Sequence, residues 1–64
     1  MDKNVKLHRA AMRWKEFVDK FEKTGKPINL HRAHKALEIW EKYGGYEIYG
    51  TPKVYLQKLK DGLK

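Results

Sequence analysis

Apolar residues recur along the first third of the chain at helical intervals. Leu7, Ala11, Trp14, Val18 and Phe21 are separated by four, three, four and three positions, and Ala10 and Phe17 widen the stripe. A helix gathers residues so spaced on one face, which must be covered by something else. The spacing predicts a helix from about Val5 to Lys23. Asp2 or Asn4 is its N-cap, and Thr24-Gly25-Lys26-Pro27 is its stop, because Gly adopts left-handed backbone angles and Pro cannot continue a helix. A second helix is predicted over Leu30–Tyr43, where Leu30, Ala33, Ala36, Leu37, Trp40 and Tyr43 share one side. Asn29 reads as its N-cap, Ile28 as the apolar staple before it, and Gly44-Gly45 as its stop.

The alternation and tyrosine content of Tyr46-Glu47-Ile48-Tyr49-Gly50 predict a short extended segment. With no second strand in the sequence to pair with it, it is read as a loop that drops Tyr46 and Ile48 onto the core. Thr51-Pro52 has the form of an N-cap followed by Pro at the first helical position. A third helix should run to about Asp61, ended by Gly62, with Tyr55, Leu56 and Leu59 as its apolar side. The expected fold is therefore all-α: one domain over residues 1–64, a compact three-helix domain with a short extended segment before the last helix, trihelical or winged-helix-like.

A chain of 64 residues buries roughly 60% of the surface its unfolded form exposes. Its core supplies about 3–5 kcal/mol of net stability, leaving little material for a deep cavity. There is no Cys, so there is neither a disulfide framework nor a thiolate metal site, which fits a reducing compartment. No apolar run approaches the roughly 18 residues of a membrane span, and the N-terminus lacks the apolar core of a secretory signal. The reading is a soluble, cytoplasmic (intracellular) protein without a membrane partner.

Charge sharpens this picture. Fifteen Lys and Arg against eight Asp and Glu give +7, an excess that speaks to partners rather than to fold. Nucleic acid is the first candidate, then anionic membranes and acidic protein surfaces; a lysine-rich face that only keeps the chain soluble is the plain alternative. On the first helix Lys6, Arg13 and Lys20 are seven apart and Arg9 joins them. This stripe lies roughly 100–160° from the centre of the apolar face. Glu16 interrupts it, while Asp19 and Glu22 lie on the other flank. On the second helix Arg32, Lys35 and Lys42 point away from the core, with Ile39 outward among them. A major-groove helix uses such residues: Arg and Lys meet phosphates or guanine edges, and Ile meets a thymine methyl. His31 and His34 add contacts near its start; with Glu38 and Glu41 nearby, an ordinary solvated face is the alternative. Lys53, Gln57, Lys58 and Lys60 on the third helix, and Lys64 beyond it, suit phosphate contacts. Trp14 and Trp40 belong to core stripes, whereas Tyr46 and Tyr49 are candidates for stacking on single-stranded bases, with packing or a turn role favoured.

Other chemistry finds little support. His31 and His34 are three apart, but a third ligand would have to come from His8 or a carboxylate, so no metal site is expected. There is no Ser, and Thr24 and Thr51 both fit turn or cap positions, which leaves no nucleophile for hydrolysis. Gly25 and Gly44-Gly45 lack the spacing of a phosphate loop. No enzyme activity and no cofactor are expected.

Phe17 and Phe21, then Gly25-Lys26-Pro27-Ile28-Asn29, then Leu37, Trp40 and Tyr43 before Gly44-Gly45-Tyr46, resemble the AT-rich interaction domain family of DNA-binding proteins. The resemblance covers about half of the chain and implies a helical DNA-binding domain. Members of that family are longer and carry extra helices, and no binding residues transfer from it. The expectation is a small basic nucleic-acid-binding protein, foremost DNA-binding, with a regulatory or accessory role. It would contact phosphates through Lys6, Arg9, Arg13, Lys20, Arg32, Lys35, Lys42, Lys53 and Lys60. The alternative is a protein-interaction module, an inhibitor of a larger enzyme or a homodimer, built on the outward apolar residues Val5, Met12 and Ile39. Basic stripes that merge on one surface favour nucleic acid; stripes on opposite sides favour solubility.

Overall fold

Residues 2–62 are described by a computed structural model; Lys64 lies outside them. Helix α1 spans Lys3–Thr24. The Asp2 carboxylate accepts a hydrogen bond from the Asn4 amide at 3.1 Å, an N-cap that serves one of the donors a helix start leaves unpaired. Gly25, at φ 69°, closes the helix, its N–H donating to the Phe21 carbonyl at 2.7 Å.

Helix α2 spans Pro27–Lys42, so it begins earlier than its apolar pattern predicts. Pro27 occupies the first turn, where a missing N–H costs nothing and a fixed φ suits the helix. Asn29 is therefore inside the helix and not its cap. It is 7% exposed, and its side-chain amide donates to Thr24 Oγ1 at 3.2 Å, tying the turn between the two helices. Ile28 and Leu30 are exposed rather than core residues.

The segment expected to be extended is instead a single helical turn, α3, Gly45–Ile48. Gly44 at φ 76° redirects the chain. Ile48, Tyr49 and Gly50 then donate to the carbonyls of Gly44, Gly45 and Tyr46. An extended segment with no partner strand would leave these backbone groups unpaired, and the helical turn pairs them locally. The turn also changes which side chains face inward. Tyr46 and Ile48 are exposed, and Tyr49 packs on the core. Helix α4, Pro52–Gly62, starts as predicted. Thr51 Oγ1 accepts from the Val54 amide at 3.3 Å and Pro52 is buried, while Leu59 is exposed.

Over the described residues the fold is all-helical, with three long helices and one short turn. Among the described residues there is no strand, hence no wing, and no helix is long and apolar enough to cross a membrane. Helix α1 packs chiefly on α2 and also on α4. The first two helices run antiparallel: the Lys6 end of α1 meets Tyr43, and Phe17 meets Arg32 near the start of α2. Ala10, Ala11, Ala33 and Ala36 are buried with Leu7 and Trp40. Trp40 anchors the centre, its indole N–H donating to the Gly50 carbonyl at 2.9 Å. The rings of Tyr49 and Tyr55 lie 5.9 and 5.3 Å from it, in tilted contacts that add to burial. Trp14 is only half-buried. The Tyr55 hydroxyl shares a 2.9 Å hydrogen bond with His8 Nδ1, linking α4 to α1. Burial, then the neighbouring Tyr49, pushes the Tyr55 phenol above its ordinary pKa.

Candidate nucleic-acid interface

The basic stripes of α1 and α2 meet. Lys6, Arg9 and Arg13 from α1 and Lys42 from α2 line one groove of about 410 Å³, together with Ala10, Ala36, Ile39 and Tyr43. The groove continues past Arg13, Ala36 and Ile39 to Phe17, Arg32 and Lys35. Glu16 is the acidic side chain along it among the described residues, and it pairs with Lys20 at 3.2 Å. Glu38 and Glu41 do not line the groove. At 100° per residue Glu38 stands 40° from Lys42 and 60° from Lys35, at their solvent edge, and Glu41 stands about 100–120° from both.

Two aromatic rings hold the cations at either end. The Lys6 and Lys42 ammonium groups stand 5.2 and 5.8 Å from the centre of the Tyr43 ring, one from each helix. At the far end Lys20 and Arg32 stand 5.4 and 5.7 Å from the centre of the Phe17 ring. A cation over a ring face is attracted by its quadrupole, by about 0.5–1 kcal/mol at exposed sites. Each ring thus gathers like charges that would otherwise splay apart. The Tyr43 phenol is held below its ordinary value, first by hydrogen bonding from Lys6 and then by the charges of Lys6 and Lys42, against an opposing desolvation. Between the two ends sits Ile39, 40% exposed.

The remaining candidates lie elsewhere. Lys53 and Lys60 line a separate hollow between α4 and α1, with Trp14, Val18 and Leu56. Met12, 50% exposed, lies beside His8, Lys15 and Asp19, with Arg9 and Arg13 bordering both its side and the groove. Val5 is 42% exposed and falls on the same outer side of α1 as Met12 at 100° per residue. Tyr49 packs in the core and is no stacking platform. His31 and His34 are exposed, and no group of three potential ligands that would hold a metal occurs among the described residues. Sequence reasoning missed the role of Phe17 and Tyr43, assigning both to the core. The available signal was their place at the edge of the apolar stripes, within a helical turn of a basic residue on the same helix.

No protein-family model, curated protein or solved structure matches the chain. The likeness to the AT-rich interaction domain therefore carries no family assignment.

Proposed function

We propose that the protein binds nucleic acid, foremost DNA, through the α1–α2 groove, as a small cytoplasmic regulatory or accessory protein. One observation carries this reading: basic residues from two helices line a single groove in which Glu16 is the acidic residue and Lys20 is its partner. A face that only conferred solubility would have no need to bring like charges together across a helix pair. Phosphates supply the opposing charge, and their release of counterions makes such binding depend on salt.

The test is a fluorescence anisotropy titration of labelled duplex and single-stranded oligonucleotides across a salt series. Binding should be measurable at low salt. With about five phosphates engaged, the logarithm of the binding constant should fall with the logarithm of salt at a slope of roughly −4 to −5. Absence of binding to either form at low salt overturns the reading. Exposed Val5 and Met12, at 42% and 50%, support a second reading, a protein-docking or self-association face on the outer side of α1. Sedimentation of Met12→Asp against the parent chain tests it: an unchanged monomer mass in both removes self-association.

A further inference from the structure

We propose that the hollow between α1 and α4 docks a segment of a partner protein in which apolar side chains are flanked by carboxylates. It opens on a different flank of α1 from the basic groove and does not depend on the nucleic-acid reading.

The hollow arises where the apolar stripe of α1 outruns its cover. The first part of the stripe, Leu7, Ala10 and Ala11, is 0–3% exposed, closed over by Trp40 and the rings of Tyr49 and Tyr55. Farther along, Trp14 and Val18 are only half-buried. Beside them α4 supplies Leu56 as apolar cover, and otherwise Lys53, Gln57 and Lys60. A space of about 490 Å³ is left between the two helices, within the range of about 300–1,000 Å³ over which ligand pockets occur. A tryptophan in an apolar recess is the residue type on which interface energy concentrates.

The charge around the recess selects the occupant. Lys53 and Lys60 are seven apart on α4 and therefore stand on one side of it. Both are exposed, and neither has an ion-pair partner among the described residues. Lys15 is already paired with Asp19 at 3.1 Å, and Glu22 is the acidic residue of the lining. An apolar floor under a net positive rim is complemented by apolar side chains with carboxylates beside them. A second copy of this chain suits the site poorly, because each copy brings +7 to the contact. A nucleic acid would satisfy the lysines, but its sugar–phosphate edge offers nothing to Val18 and Leu56.

The test begins with selection of short random peptides, displayed on phage, against the intact protein. Enriched sequences should combine apolar residues with Asp or Glu. One such peptide, made synthetically, is titrated into labelled protein and followed by NMR. Of the two indole N–H signals, that of Trp14 should shift, whereas that of Trp40, bonded to the Gly50 carbonyl, should hold. The double variant K53E/K60E should bind the peptide about tenfold more weakly and regain affinity for a version with Lys in place of its acids. Circular dichroism checks that these exposed substitutions leave the helices intact. The groove variant K6E/K42E should keep binding within a few-fold, its charges lying outside the hollow. No enrichment, enrichment without acidic residues, an unmoved Trp14 signal, full binding by K53E/K60E or no recovery with the charge-swapped peptide overturns the proposal. So does a duplex or single-stranded oligonucleotide that displaces the peptide from Trp14, which assigns the hollow to nucleic acid. A Trp14 signal that shifts with protein concentration alone assigns it to a second copy and overturns the proposal equally.

Discussion

Gly45 sits where the Trp40 indole leaves no room for a side chain: a Cβ there would overlap the ring atoms Cδ2 and Cε2. Trp40 cannot retreat, because it is fully buried and its N–H is committed to the Gly50 carbonyl. Gly45→Ala should therefore destabilise the fold by about 1–3 kcal/mol, the usual cost of overpacking, seen as a lower midpoint in urea unfolding. In a core worth about 3–5 kcal/mol that is a large share. Gly44-Gly45 reads as a helix stop in the sequence, and Gly44 serves that role; the need for a second glycine arises only from the packing of Trp40. Tyr43 is a second case in which the neighbour decides. Its phenol is lowered from 10.0, first by the Lys6 hydrogen bond, whereas that of Tyr55 is raised from 10.0 by burial. A depressed folded pKa gives stability that is present above the unfolded pKa and fades as pH falls through the folded one. A raised pKa gives stability that is present below the unfolded value and fades as pH rises through the folded one. The two tyrosines thus act in opposite senses on either side of 10. NMR titration of labelled tyrosine rings should show Tyr43 ionising before Tyr55, and Lys6→Met should move Tyr43 upward while leaving Tyr55 in place.

The elements were legible where capping chemistry is local. Asp2 caps α1, Gly25 closes it, and Thr51-Pro52 opens α4, each through bonds spanning a few residues. Two errors have one cause: local patterns were read without the backbone groups they had to satisfy. Asn29 has the chemistry of an N-cap, but Pro27 lets the helix begin before it, and its amide turns back to Thr24. Tyr46–Tyr49 alternates like a strand, but with no strand beside it the chain closes a helical turn. The Thr24 hydroxyl is the hub of the α1–α2 turn. It donates to the Lys20 carbonyl at 2.8 Å and accepts from the Lys26 amide at 3.3 Å and the Asn29 side chain at 3.2 Å. Thr24→Val keeps the shape and removes the hydroxyl, which strands the buried Asn29 amide. The expected loss is about 1–3 kcal/mol, and Thr24→Ser, which retains the hydroxyl, should recover most of it in the same unfolding measurement. Because this turn sets how α2 lies on α1, the valine variant should also weaken any ligand of the groove.

At the scale of the whole molecule, each basic stripe was visible in the sequence, but their merger was not. Stripe positions follow from 100° per residue, whereas the facing of two helices depends on how Ala10 and Ala36 let them approach and rotate, which no single-helix period encodes. Net charge and local groove are separable by experiment because screening has a length. The molecule measures 31 × 29 × 19 Å, while the Debye length is about 30 Å at 0.01 M salt and about 10 Å at 0.1 M. Arg13→Glu with Lys35→Glu removes charge inside the groove. Lys53→Glu with Lys60→Glu removes the same amount from the α1–α4 hollow. At 0.01 M salt every charge on the molecule is felt by a bound polyanion, and both pairs should weaken binding. Near 0.1 M the distant pair falls outside the screening length, so its loss should shrink to a few-fold while the groove pair still costs roughly tenfold or more. Anisotropy titrations of the two variants at both salt concentrations read the gap between them. A gap that opens as salt rises assigns binding to the groove, and losses that stay matched at every salt assign it to bulk charge.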